Sequence, residues 1–227
     1  GDMTVNGGTF TQTGSNGSNA NTVSSLTEGG GTCTWDSTNG GGTLTAGAIT
    51  QTGGTLNLGA KALTATKLAI STTGSTVLGL ASAAISLSSA PNSIVATTIN
   101  DTASTITLNA AAASNLTLDP AHSIGNLVVN TATPTTLISG GLVKNLTINY
   151  GCELDLSGAT EALDLSILAW DTLTATGILK VVDSTNTVAL SSQTPGSTFA
   201  FVGTDIDYGG NSMTISDMNA PSLAATV

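Results

Sequence analysis

Side chains of a β-strand alternate between two faces, so a chain that repeats one alternating phrase many times has few folds open to it. The repetition is clearest over residues 104–158. Thr105-Ile106-Thr107-Leu108-Asn109, Asn115-Leu116-Thr117-Leu118-Asp119, Asn126-Leu127-Val128-Val129-Asn130 and Asn145-Leu146-Thr147-Ile148-Asn149 each set aliphatics two apart and close on Asn or Asp. The pattern specifies a shape well and a chemistry poorly.

The first 59 residues carry an earlier version of the phrase: Gly8-Thr9-Phe10-Thr11, Gly31-Thr32-Cys33-Thr34, Gly42-Thr43-Leu44-Thr45 and Gly54-Thr55-Leu56-Asn57. Alternation predicts that Phe10, Cys33, Leu44 and Leu56 face one side and the threonines the other. Residues 14–21 (GSNGSNAN) read as a mobile loop. From 60 to 103 the composition changes and the rhythm stays. The Ala-rich piece 80–84 sits among Ser, Thr and Gly with period-two flanks, which argues for strand over helix.

Strand-like centres recur at roughly the 8–12-residue spacing that suits a sandwich, a barrel or a solenoid. Mutual similarity of the phrases favours a repeat architecture. Recurrent Asn and Asp at phrase ends suit stacked side-chain ladders. Scarce aromatics, 3 % of the chain, suit a thin interior of stacked Leu, Ile, Val and Ala. The expected fold is all-β, a single-stranded parallel β-helix (β-solenoid), with a β-sandwich as the alternative. Two phrases are expected to make one coil of about 20–24 residues. Residues 1–197 form the expected repeat domain. Residues 198–227, with Phe199, Phe201 and Tyr208, form an expected C-terminal cap or contact segment.

Composition narrows the partners. Charged residues make up 8 %, against roughly a quarter in ordinary soluble proteins. Lys61, Lys67, Lys144 and Lys180 are the only basic side chains besides one His, and the net charge is −10. Nothing could neutralise phosphates along a groove, so no nucleic acid is expected. No apolar run approaches the ~20 residues of a spanning helix, so no membrane insertion is expected. Residues 1–5 lack the charged and apolar regions of a signal peptide, which leans towards a virion part or an excised fragment.

Phrases such as Gly42-Thr43-Leu44-Thr45 and Lys144-Asn145-Leu146-Thr147-Ile148-Asn149 followed by Glu153-Leu154-Asp155-Leu156-Ser157-Gly158 resemble the degenerate repeats of bacterial surface adhesins and autotransporter-type passengers. Similar β-helical repeats occur in phage fibre and virion decoration proteins. The resemblance covers most of residues 8–190 and implies a non-enzymatic, outward-facing structural or adhesive part. It carries over no functional residues.

Candidate chemistry is sparse. His122, in Asp119-Pro120-Ala121-His122, lies in a turn-like place. Glu153 and Asp155 share a strand face, with Asp164 a possible neighbour one coil on, and a glycosidase needs such a pair at ~5–9.5 Å; a solvated acidic face reads more simply. Asp205-Ile206-Asp207-Tyr208-Gly209-Gly210-Asn211 resembles part of a calcium loop without its distal Glu, and a plain turn with exposed acids accounts for it. Cys33 and Cys152 read as small core residues, a disulfide being the alternative. The pairs Thr9/Thr11, Thr32/Thr34, Thr43/Thr45, Thr64/Thr66, Thr105/Thr107 and Thr172/Thr174 resemble the arrays of ice-binding solenoids. Their intervals run from 11 to more than 60 residues, which argues against one continuous ladder.

No catalytic, cofactor-binding or metal-binding residues are therefore assigned, and no cofactor. The expected function is a non-enzymatic structural or adhesive component of an extracellular surface or virion assembly. Its expected partners are copies of itself or neighbouring structural subunits, with a surface glycan possible. The alternatives are a carbohydrate-active β-helix and an ice-binding solenoid.

Overall fold

A computed structural model of the chain describes residues 1–13, 21–36, 43–59, 62–71, 74–89, 91–101, 103–111, 114–119, 121–131, 133–139, 141–149, 152–155, 168–180, 188–190, 199–207, 213–215, 218–219 and 225–226. Every regular element among them is a β-strand, and the strand pairings among them are parallel. The strands stack in parallel as a β-solenoid. Contacts divide the chain into two compact units, residues 1–107 and 108–227.

In the first unit the strands are β1 (Asp2–Val5), β2 (Thr9–Thr13), β3 (Asn21–Glu28), β4 (Thr32–Asp36), β5 (Leu44–Gln51), β6 (Gly54–Asn57), β7 (Ala62–Ile70), β8 (Thr76–Ala81), β9 (Ala84–Leu87), β10 (Asn92–Ile94) and β11 (Thr98–Asp101). Each pairs with the strand one coil away. Thr9 lies beside Thr32, 23 residues on, and Leu44 beside Leu63, 19 on. The coil length expected from the phrases is thus close to the observed one.

The expectation of two strand phrases per coil needs correcting, because the long strands bend. In β5 the inward residues are Leu44 and Ala46, then Ile49 and Gln51; in β7 they are Leu63 and Ala65, then Leu68 and Ile70. The inward position slips by one residue in mid-strand. A flat strand would send the second half's apolar residues to the opposite face, so both halves can face one interior only if the chain turns a corner there. Three straight segments, or walls, therefore make one coil. Wall 1 holds residues 21–23, 44–46, 62–65 and 84–87; wall 2 holds 2–5, 25–28, 48–51, 67–70 and 92–94; wall 3 holds β2, β4, β6, β8 and β11.

The corner brings backbones together. A Cβ on Gly47 would lie 1.9 Å from the Ser24 carbonyl oxygen, and Thr66 Oγ1 donates to the Gly47 carbonyl at 2.6 Å. One coil later β9 and β10 replace the single bent strand, and Asn92 bridges the gap. It is buried, accepts from the Leu68 backbone N–H at 3.0 Å and donates to the Ser89 carbonyl at 2.9 Å. Asn92→Ala orphans the buried Leu68 N–H. The expected loss is about 1–3 kcal/mol, read as a lower urea midpoint at unchanged slope.

The interior is filled by columns of like residues. Leu26, Ile49 and Leu68 stack in register on wall 2, and Leu44, Leu63 and Ile85 on wall 1, all at most 2 % exposed. Phe10, Cys33, Leu56 and Leu78 stack on wall 3. Three of the four Gly-Thr phrases thus share one column as expected. The fourth does not: Leu44 belongs to a different wall. The Ala-rich 80–84 piece is strand, turn and strand, with Ala81 at φ 46° and the Ala83 N–H donating to the Leu80 carbonyl at 2.8 Å.

The second unit repeats the plan. Ser123–Val129 pairs with Gly141–Ile148 and that with Leu168–Lys180, and Thr135–Ser139 pairs with Glu153–Asp155. Ile124 gives way to Leu127 and Val129, and Val143 to Leu146 and Ile148, the same one-residue slip. Phe199–Asp207 pairs parallel with Leu168–Lys180, so the sheet continues past residue 198.

Candidate functional site

Outside the core, repetition puts like polar residues in files. On wall 1 Thr22, Thr45 and Thr64 stand in register, with Ser86 next; the three threonines are exposed. Neighbours in such a file repeat at the strand spacing of about 4.8 Å. On wall 3 Thr9 and Thr11 stack on Thr32 and Thr34, then on Thr55 and Asn57, with Val77 and Gly79 beyond. Asn57 Nδ2 donates to Thr34 Oγ1 at 3.3 Å. Wall 2 adds Thr4, Thr27 and Thr50.

The Thr-x-Thr pairs consequently sort by wall. Thr9/Thr11 and Thr32/Thr34 are true neighbours in adjacent coils. Thr45 and Thr64 belong to the wall 1 file, while Thr43 precedes its strand and Thr66 sits at the corner. Uneven intervals in sequence reflect pairs on different walls, so they do not rule out short registered files.

The second unit presents amides. Asn130 Nδ2 donates to Asn109 Oδ1 at 2.7 Å, and Asn149 Nδ2 to Asn130 Oδ1 at 2.8 Å. A parallel ladder runs from Asn145 Nδ2 to Asn126 Oδ1 at 2.6 Å. These are the stacked side-chain amides anticipated from the phrase ends. Chains of aligned amides polarise one another and stiffen the files.

The residues singled out for chemistry are not brought together. His122 Nδ1 lies 3.0 Å from Asp119 Oδ2, and Asp119 Oδ1 accepts from the Ala121 N–H at 2.8 Å. This is a local turn stitched by its own Asp, as its sequence suggests. Glu153 and Asp155 lie on one short strand, with Asp155 in register with Lys180 of the next coil; Asp164 lies outside the described residues. Asp205 and Asp207 belong to the strand Phe199–Asp207, paired beside Ile178 and Lys180. An extended, paired backbone replaces the turn expected there, and residues 208–211 lie outside the described part. Asn21, placed at the end of a loop by its sequence, opens β3; residues 14–20 also lie outside. Among the described residues no three His, Cys, Asp or Glu side chains are placed to hold a metal ion.

Both cysteines are buried thiols outside any disulfide. Burial pushes the Cys33 thiol up to about 11; a Trp35 indole N–H nearby works against the rise and the Glu28 charge adds to it. A thiol so placed holds on the order of one thiolate in ten thousand molecules at neutral pH. Native protein is therefore expected to leave Cys33 unlabelled by an aromatic disulfide reagent at neutral pH, with full labelling only in denaturant.

One interior feature went unnoticed in the sequence. Glu28 and Gln51, register partners on wall 2, are both fully buried. Leu26-x-Glu28 and Ile49-x-Gln51 carried the signal, since a residue two from a core aliphatic shares its face.

Comparison with known proteins finds no matching family model, and no significant match among curated proteins or solved structures.

Proposed function

We propose that this chain is a non-enzymatic structural or adhesive solenoid, working at an extracellular surface or in a virion assembly by repeated shallow contacts. The observation that carries this reading is the exposed wall 1 file of Thr22, Thr45 and Thr64, with the Asn109–Asn130–Asn149 ladder as its counterpart in the second unit. Files of hydroxyls and amides at one spacing suit a partner that itself repeats: a glycan chain, or a neighbouring subunit of the same kind. Individually weak contacts gain strength by multiplicity along such a partner. The low charge agrees with a surface that binds by hydrogen bonding and fit more than by long-range attraction.

The test uses the intact chain. Wild-type protein is expected to form an ordered filament or lattice, seen by negative-stain imaging, or to co-sediment with an insoluble polysaccharide. Thr45→Arg, which puts a long charged side chain in mid-file, is expected to abolish that association at unchanged thermal midpoint. Cleavage of any member of a glycan panel would instead establish the carbohydrate-active alternative.

The registered pairs Thr9/Thr11 and Thr32/Thr34 favour one second reading, an ice-binding face on wall 3. Thermal hysteresis lost in Thr32→Tyr would establish it; its absence in wild type would dispose of it.

A further inference from the structure

In the corner between walls 2 and 3, two stacked side chains each keep one oxygen with nothing to accept from. Glu28 Oε1 accepts from the Gly30 N–H at 3.1 Å, while Oε2 is buried without a hydrogen-bond partner. One coil along, Gln51 Nε2 donates to the carbonyls of Gly54 and Val77, both at 3.0 Å. Those two bonds fix which end of the amide is nitrogen, so Gln51 Oε1 is an acceptor by assignment, and it too is buried and unpartnered. Buried polar atoms are nearly always satisfied. Two orphan acceptors on register partners have one shared defect: a missing donor.

We propose that Glu28 and Gln51 together form a buried proton-binding site, in which neutral Glu28 donates its Oε2 hydrogen to Gln51 Oε1. A single proton then satisfies both orphan oxygens and removes an unpaired charge from the interior. Space at the site is already consumed: a Cβ on Gly54, a residue at φ +67°, would lie 2.5 Å from Glu28 Oε1 and 2.5 Å from the Gly31 nitrogen. A proton needs no added volume, whereas a metal ion would need several more oxygens drawn in around it.

The surroundings supply no counter-charge among the described residues. On β1, the register partner of Glu28 is Val5, and Asp2 is exposed, accepting from Ser25 Oγ at 2.9 Å. On β5 the partner is Gln51, whose own partner on β7 is Ile70, and Lys67 pairs with outward Ala48. On β4 the titratable neighbour is the Cys33 thiol, which feels the Glu28 charge. Burial raises the Glu28 carboxyl above its ordinary 4.5, with the Gly30 N–H working against the rise.

A carboxyl whose folded pKa is raised binds its proton more tightly folded than unfolded. Its stabilisation is complete below the unfolded value of 4.5 and is lost as pH rises through the raised folded value. The contribution of this site is thus fullest in acid and is lost as the pH rises.

Infrared difference spectra and thermal unfolding across pH test this on the intact chain. Glu28→Gln keeps the shape and supplies a permanent amide donor to Gln51 Oε1. Wild type is expected to show a carboxylic-acid carbonyl band persisting above pH 4.5, absent from Glu28→Gln. The wild-type midpoint should fall from that pH to neutrality, and Glu28→Gln should flatten most of that fall. Asp2→Asn removes the same formal charge from the surface and should leave the fall in place. Equal pH slopes in wild type and Glu28→Gln, or no persistent acid band, would overturn the proposal. So would a wild-type midpoint at neutral pH that rises with added calcium or sodium and does not rise in Glu28→Gln, since the site would then hold a cation.

Discussion

Gly47→Ala is expected to lower the stability of the first unit by about 3 kcal/mol, the upper end of what overpacking a close contact does. The added methyl carbon would sit 1.9 Å from the Ser24 carbonyl oxygen and 3.1 Å from its carbon. No rotation relieves a clash between a Cβ and a backbone carbonyl, so the two coils must part at the corner. That movement also strains the bond from Thr66 Oγ1 to the Gly47 carbonyl. Gly7→Ala is the control: its Cβ would meet only the Gly30 carbonyl oxygen at 3.7 Å, an ordinary contact. Urea unfolding of both variants measures the difference. Equal midpoints would show that the corner yields more readily than its geometry implies.

Ile49→Ala is the second large effect, about 3 kcal/mol within the 2–5 expected for emptying a buried aliphatic site. Ile49 stands between Leu26 and Leu68 in the wall 2 column, and all three are 0 % exposed. A cavity there loosens two coil interfaces at once, because in a stacked array each coil rests on its neighbours. The next residue along is the control. Thr50 points outward, and Thr50→Ala is expected to change stability by no more than about 0.5 kcal/mol. Comparable losses from both variants would mean that the alternation of inward and outward positions is misassigned.

Much of this architecture was legible in the sequence because alternation is a local property. Ile106-x-Leu108, Leu116-x-Leu118, Leu127-x-Val129 and Leu146-x-Ile148 announce their inward faces without reference to anything distant, and all eight residues are buried. The corners were not legible. Ser24, Gly47 and Thr66 are three different residues with no feature common to all of them, and what marks them is a slip in phase that shows only once the coils are aligned. Missing that slip assigned Leu44 to the wrong wall and made the Thr-x-Thr intervals look irregular. Glu28 and Gln51 were passed over for a related reason. An acid or amide at strand ends is usually solvated, and only its parity with Leu26 or Ile49 says otherwise. The acidic stretch at Asp205 failed differently: closely spaced Asp and Gly suggest a turn, whereas pairing with Leu168–Lys180 holds Asp205 and Asp207 extended.

The unequal coils have a practical consequence for anyone lengthening this chain. Leu44 follows Thr34 by ten positions, yet their register partners Leu63 and Asn57 are six apart. Thr55 follows Gln51 by four positions, and Val77 follows Ile70 by seven. The walls hold their alignment through these changes, so those two junctions absorb length while every inward residue keeps its place. The first is a natural port for inserted epitopes or docking peptides, displayed once per coil along one edge of the first unit, whereas the second turns through the close-packed corner of Gly54 and Glu28. An insertion at Ser24, Gly47 or Thr66 enjoys no such freedom, because those positions set the turn itself.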